Sequence, residues 1–574
     1  MSEKKVKLVV CWHMHQPHYR DGEDGEYHLP WVYLHAIKDY TDMVWHLEKC
    51  PEAKVVVNFA PVLLEQLDDY AQQIEEWLDN GQPMQDRLLN LLAGVEPISG
   101  QLSQRQEIAI LCQKAHAPTI IHALPYFHEM VELLQNCDLV NDVSHCVQLS
   151  YLSEQFFIDL LMWYHLAWMG ISLRRDDHRI TLLMQKKKNF SKKDRRLVME
   201  ILFDAIRNII PRYKALLDRG QIELSMSPYG HPIVPLMLDF NSLHESTPNA
   251  PLPQAPAYPG GEERARWHLE KGQEVFEHYF GQKSKGVWLS EGALSSEAVK
   301  LLDDYNLQWT ASGEGVWRHS CEASQINPHL INSKKALYSP LKHKDAHAKL
   351  FFRDDGMSDL IGFQYKDWRA EDAANNFAQN MTNIANFLGE EADQHVVSVI
   401  LDGENAWEYY PDNAYHFLMA FYDVLSDHPR IEMTTFSQAI EDGCKVRELP
   451  MLKAGSWVYG SFSTWMGDKD KNLGWDLLVA AKESFDKVMA TQTFTEEKSQ
   501  AIIDQLAICE GSDWFWWFGD YNNAQSVKDF DHLYRSHLKK LYQLLEVEIP
   551  EALNQPISHG GHGVENGGTM RRNA

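Results

Sequence analysis

Residues 396–404 read Val396-Val397-Ser398-Val399-Ile400-Leu401-Asp402-Gly403-Glu404, a β-branched run that closes on two carboxylates flanking a glycine. A short apolar run of this kind, rich in Val and Ile and ended by a turn residue, reads as a strand. The same construction recurs along the chain. Val6–Trp12, Ala53–Phe59, Ile222–Ser225, Gly286–Leu289, Gln308–Ser312, Lys349–Arg353 and Ile431–Thr435 are short, β-branched or aromatic, and followed by polar residues. Helical spacing fills the intervals. Leu197, Val198, Ile201, Leu202, Ala205, Ile206, Ile209 and Ile210 form one stripe, with Ser191 as its candidate N-cap. Strand–helix alternation repeated this often predicts an α/β chain whose parallel strands close into an incomplete barrel of the (β/α)7 type.

Two stretches depart from the alternation. The interval between the second and third strands, about residues 63–220, is too long for one crossover and predicts a mostly helical insertion. Beyond about residue 445 the alternation stops, and Trp475–Met489, Ser499–Ile508 and Asp529–Leu545 carry helical patterns instead. The expected organisation is a barrel domain over residues 1–445, a helical C-terminal domain over 446–554 and a disordered tail over 555–574, rich in Gly, His and Asn.

Composition narrows the class. At 574 residues and 44% hydrophobic, the chain has enough apolar material for a large core and two domains. A net charge of −27, from 54 basic and 81 acidic residues, argues against nucleic acid as the partner. The one basic cluster, Lys186-Lys187-Lys188 with Lys192, Lys193, Arg195 and Arg196, reads as a solvated loop entering a helix. The most apolar stretch, Phe156 to Gly170, contains Asp159 and His165 and is too short to cross a bilayer, so no membrane association is expected. No small-residue cleavage site follows Met1 to Val10, and the eight cysteines are scattered with no Cys-x-x-Cys pair. Free thiols and a cytoplasmic location are the expectation. The 18 tryptophans suit either stacking on sugar faces or an aromatic core, and composition leaves both readings open.

In a barrel of this kind the C-terminal ends of the strands form the functional face. The first strand delivers His13 and His15, and the third carries Glu223. The fourth leads through Trp288 to Glu291, and the seventh to Asp402 and Glu404. Two carboxylates on separate strand ends suit glycosidic cleavage. One attacks or shields the anomeric carbon, while the other protonates the leaving oxygen and later activates water. Plainer readings stand beside this one. Asp402-Gly403 and Glu291-Gly292 also suit turns, and a lone carboxylate at a strand end also suits a helix cap. His13 and His15 fall on one side of an extended chain, where they suit metal ligation, hydrogen bonding or core packing. No His-Glu-x-x-His or similar pattern completes a ligand set, so no metal and no cofactor are expected.

The motifs resemble glycoside hydrolase family 57, whose five characteristic regions appear in order. They are His13-Met14-His15-Gln16-Pro17, then Gly220-Gln221-Ile222-Glu223-Leu224 with Ser227-Pro228-Tyr229-Gly230-His231-Pro232. Next come Gly286-Val287-Trp288-Leu289-Ser290-Glu291-Gly292 and Leu401-Asp402-Gly403-Glu404-Asn405-Ala406-Trp407-Glu408. The fifth is Gly455-Ser456-Trp457 with Gly460-Ser461-Phe462-Ser463-Thr464-Trp465-Met466-Gly467, Asn472 and Trp475. Ser290 stands where Ala or Pro is common in the family. The resemblance implies a retaining enzyme acting on α-linked glucans without a catalytic metal. Glu291 would be the nucleophile and Asp402 the general acid/base. His13, His15 and Glu223 would bond sugar hydroxyls, and Trp288, Trp407 and Glu404 would shape the nearest subsites. Trp465 and Trp475 would stack on the glucan over the groove, or pack between domains. The fifth region, with Asp513-Trp514-Phe515-Trp516-Trp517, looks most like the amylopullulanase and α-amylase branch and so implies hydrolysis. The alternatives are 4-α-glucanotransfer or α-glucan branching at the same site, a metal-dependent enzyme built on His13 and His15, and a non-catalytic glucan binder.

Overall fold

The computed structural model describes residues 4–135 and 148–561. The strands are β1 (Val6–Met14), β2 (Val55–Phe59), β3 (Ile222–Met226), β4 (Gly286–Val287), β5 (Trp309–Ser312), β6 (Leu341–His343), β7 (Lys349–Phe352), β8 (Val396–Asp402), β9 (Ile431–Thr434) and β10 (Arg447–Leu449). They form one sheet in the order β10-β6-β7-β5-β4-β3-β2-β1-β8, with β9 also paired to β1. Every pairing is parallel except β6 with β7. The sheet curls until the end of β7 meets β8 through a single bridge, Arg353 to Ser398, and a 2.8 Å hydrogen bond from Asp354 N–H to the Ser398 carbonyl. Seven parallel strands thus ring the barrel, and one seam is barely stitched.

Both faces of this sheet are covered, which is why its strands read as unbroken apolar runs. On β1 the odd residues Val9 and Cys11 join Val56, Trp288, Trp309, Ala311, Phe351 and Ile400 inside the barrel. The even residues Val10, Trp12 and Met14 pack against the surrounding helices. β4 keeps only two residues of the expected strand. Gly286 is required there, because a Cβ would lie 1.9 Å from the Trp309 ring that fills the barrel interior. β6 and β10, three residues each, are strands that the sequence patterns did not reveal. β9 pairs with the start of β1 and lies outside the ring.

Between β2 and β3 the described residues are helical, from Pro61–Asn80 to Ile209–Asp218. Ser191 caps Lys192–Arg207 in a reciprocal box with Asp194. Arg195, expected in solvent, is buried and donates to the carbonyls of Leu91 and Leu92. After β10 come Lys469–Thr491, Glu496–Cys509, Asp513–Trp517 and Ala524–Leu544, all helical. The expected disordered tail is packed at its start. Ile557 and Ser558 are buried, and the Ile557 N–H donates to Asp531. Residues 562–574 lie outside the described residues. Among the described residues no helix is long and apolar enough to cross a membrane, and the six described cysteines are free thiols.

Candidate active site

Strand register assembles the floor of the site. His13 lies beside Asp402 of β8 and beside Asn58 of β2, and Asn58 lies beside Ser225 of β3. Asn58 ties this layer together. Its Oδ1 sits 2.7 Å from His13 Nδ1 and accepts from the Ser227 hydroxyl, and its Nδ2 donates to Ser225. Above the layer lies a cavity of about 560 Å³. Its walls come from the barrel (His13, His15, Glu291, Asp402, Glu404), the insertion (Lys114, His116, Pro118) and the C-terminal region (Trp457, Asp513, Trp516, Trp517).

Glu291 reaches the cavity through a sharp turn after β4. It and Gly292 both adopt left-handed backbone, with φ of 60° and 56°. For a non-glycine residue this costs about 1–3 kcal/mol, so the surroundings must enforce it. They do. The Trp457 backbone N–H donates to the Glu291 carbonyl at 3.1 Å, and the Trp457 indole N–H donates to Glu291 Oε2 at 3.0 Å. The Ser312 hydroxyl donates to the Gly292 carbonyl. Trp457 therefore fixes the backbone and the carboxylate of the same residue.

Asp402, at the end of β8, accepts from Asn405 Nδ2 at 2.9 Å. Gly403 follows it because a Cβ there would fall 2.1 Å from Met14 Sδ. Burial raises both carboxyls: Glu291 is pushed up to about 8, with the Asp402 charge adding to the effect, and Asp402 up to about 6. The indole of Trp457 opposes the rise at Glu291; Asn405, His15 and Arg353 oppose it at Asp402. The order is the reverse of what a leaving-group acid at Asp402 requires. Two carboxyls that repel each other titrate as a pair, however, and between the two values the pair holds one proton. The form with that proton on Asp402 is the one competent to protonate an oxygen.

Three imidazoles line up beside the dyad. His15 stacks on His231 at 3.7 Å with an 18° interplanar angle, and His13 stands 5.3 Å from His231. Burial holds His13 down at about 3 and His231 well below the ordinary histidine value, so both are neutral. His15 Nε2 lies 2.9 Å from Asp513 Oδ1. Potential ligand atoms of His15, His231 and Asp513 lie within 4.8 Å of one another. Stacked rings, however, keep their in-plane nitrogen lone pairs in separate, nearly parallel planes, whereas ligation requires them to converge on one ion. The arrangement fits hydrogen bonding to hydroxyls better than metal binding. Glu404 backs the group, accepting from the His15 N–H, Gln16 and Tyr40, and burial raises its carboxyl well above the usual range.

The other expected site residues are placed differently. Glu223 lies inside the barrel below the cavity, where Trp309 Nε1, the Ser437 N–H and the Ser437 hydroxyl donate to it. It is two residues below the Ser225 layer and meets no substrate space. Trp288 and Trp407 are fully buried; the first packs against His13 and Trp457, the second donates to the Gly403 carbonyl. Both shape the site from behind. Trp465 and Trp475 have 0% exposure, which leaves no ring face for a sugar, and this corrects the expected stacking platforms. Trp475 stacks on Phe515 at 4.5 Å and donates to the Trp465 carbonyl. Trp475→Ala is accordingly expected to cost about 3–5 kcal/mol of stability, seen as a lowered melting temperature. The ratio of activity on long and short chains should stay unchanged, and a selective loss on long chains would contradict the packing role. Trp457, Trp516 and Trp517 are among the aromatic residues that line the cavity, Asp513 joins its polar wall, and His231 lies buried beside His15. All five lie in stretches already notable in the sequence, but no local pattern set them apart from their buried neighbours.

Comparison with known proteins bears on the fold and the family. No curated protein matches the sequence. Among solved structures, a branching enzyme from Thermococcus kodakaraensis aligns with a TM-score of 0.57 at 15% identity, covering 95% of this chain and 90% of its own. A branching enzyme from Pyrococcus horikoshii aligns at 0.55 and 15% identity, covering 96% and 94%. An α-amylase from Thermotoga maritima aligns at 0.55 and 13% identity, covering 94% and 93%. At such identities the likeness is one of fold. The sequence itself matches the model of glycosyl hydrolase family 57 over residues 9–454, a span that includes His13, His15, His231, Glu291 and Asp402. This chain belongs to glycosyl hydrolase family 57.

Proposed function

We propose that this protein cleaves α-glucosidic bonds in α-glucans such as starch, glycogen and maltodextrins, with retention of configuration and water as the final acceptor. The observation that carries the proposal is the convergence of Glu291 and Asp402 on one cavity, both with raised carboxyl pKa values, from strands on different sides of the barrel. Glu291 attacks the anomeric carbon while Asp402 protonates the departing oxygen, giving a β-glucosyl enzyme. Asp402, now a carboxylate, takes a proton from water, which displaces Glu291. Trp457 steadies the nucleophile through its indole N–H. The neutral His13, with His15 held by Asp513, offers hydrogen bonds to the sugar hydroxyls, and the buried His231 backs His15.

The product profile tests the acceptor. With maltooligosaccharides, reducing ends should rise steadily. A ladder of longer products at constant reducing ends would identify transfer instead, and new α-1,6 branches in amylose would identify branching.

The dyad also predicts the pH response. kcat/KM reports the free enzyme, and the pair holds its one useful proton only between about 6 and about 8. Below that window both carboxyls are protonated and Glu291 cannot attack; above it both are ionised and no acid remains. A bell-shaped profile with limbs near these values is expected. Activity that keeps rising past pH 9 would contradict the shared-proton scheme.

A further inference from the structure

The loop after β1 meets the last long helix in a cluster that the proposed chemistry does not use. Asp21 and His28 come from the loop, and His532 from helix Ala524–Leu544. One potential ligand atom from each lies within 4.8 Å of the others. We propose that Asp21, His28 and His532 bind a divalent transition-metal ion, with Zn²⁺ the best match, which fastens the loop to the helix. Two imidazoles and a carboxylate are a donor set that such ions favour, with room for water at a further position.

The surroundings support ligation in the way metal sites require. One oxygen of Asp21 is anchored: Oδ1 accepts from the Glu23 N–H at 2.7 Å and the Ser536 hydroxyl at 2.5 Å. The other, Oδ2, faces His532 Nε2 at 2.6 Å. Asp529, one turn before His532 on the same helix, lies 3.4 Å from His28 Nε2 and supplies the carboxylate that ordinarily orients a metal-bound imidazole. An Asp21–His532 ion pair alone would suffice to dock the loop. That pair leaves out His28, whose ring stands 4.9 Å from that of His532 with Nε2 turned to Asp529. One ion between the two rings would draw on both and on Asp21. The loop contributes Tyr19 and Leu29 to the cavity wall, and the helix contributes Ser526, Asp529 and Phe530. A bound ion would therefore stiffen that wall at a distance from the dyad.

The test uses the full chain, stripped with chelator and dialysed against Zn²⁺, with metal content and melting temperature as readouts. The parent should bind Zn²⁺ at this site with a rise in melting temperature. His532→Ala should weaken that binding by about 100-fold or more, since even a supporting partner is worth up to that factor. His28→Gln leaves the Asp21–His532 pair intact, so its fold is safe, and it should bind as weakly and lose the thermal response. A parent that takes up no Zn²⁺, or variants that bind Zn²⁺ as the parent does, would overturn the proposal.

Discussion

Glu291→Ala is expected to lower kcat on α-glucans by about 10⁴- to 10⁶-fold, the range seen when a single member of a catalytic group is removed. The loss follows from the mechanism, since no covalent intermediate forms without this carboxylate. Asp402 can still protonate a leaving group, so a small anion placed in the vacated space should restore turnover. Azide would attack from the face Glu291 used and give a β-glucosyl azide, inverted relative to the substrate. Stability supplies a control. The folded protein holds Glu291 at about 8, above its ordinary value of 4.5. The native state therefore binds a proton more readily than the unfolded chain, and its stability falls as pH rises from about 4.5 to about 8. Glu291→Gln removes that penalty, so its melting temperature at pH 8 should equal or exceed the parent's. Near-normal activity in Glu291→Ala, or an α-azide product from it, would refute the assignment of the nucleophile.

Asp402→Ala has a different expected signature. With natural glucans the rate should fall by about 10²- to 10⁴-fold, the usual contribution of general acid–base catalysis. Aryl glucosides with good leaving groups need no acid, so their glucosyl enzyme should form quickly and then stall for want of a base. Azide needs no deprotonation and should relieve the stall, giving the α-azide with configuration retained. The pH profile should change as well. Asp402 contributes to the raised carboxyl of Glu291, so its removal lets that carboxyl fall, and the alkaline limb that depends on an acid proton should disappear. A bell-shaped profile persisting unchanged in Asp402→Ala would mean that another group supplies the proton.

Much of this site was legible in the chain because it sits where strands end. β-branched runs closing on His13, Glu291 and Asp402 mark strand ends, and strand ends in a parallel barrel share one rim. Ser191 and the helical stripe after it likewise announced a helix by local chemistry alone. Depth within the barrel was not legible. A parallel strand buried on both faces has no polar–apolar alternation to say which residues face inward or how high they stand. Glu223 therefore read as a residue of the rim, yet interstrand register puts Ser225 level with Asn58 and His13 and leaves Glu223 below, bonded to Trp309 and Ser437. Tryptophan roles were hidden for a related reason. Trp465 and Trp475 have mixed polar and apolar neighbours in sequence, as Trp457 does, yet both are fully buried, while Trp457 and Trp516 face the cavity. Asp513 reaches His15, and His532 reaches Asp21, across about 500 residues of chain. Sequence determined which elements form and which ends carry chemistry, since those depend on local propensity and apolar pattern. Tertiary packing decided which side chains meet, because contacts between distant segments are set by register and by how helices dock on the sheet.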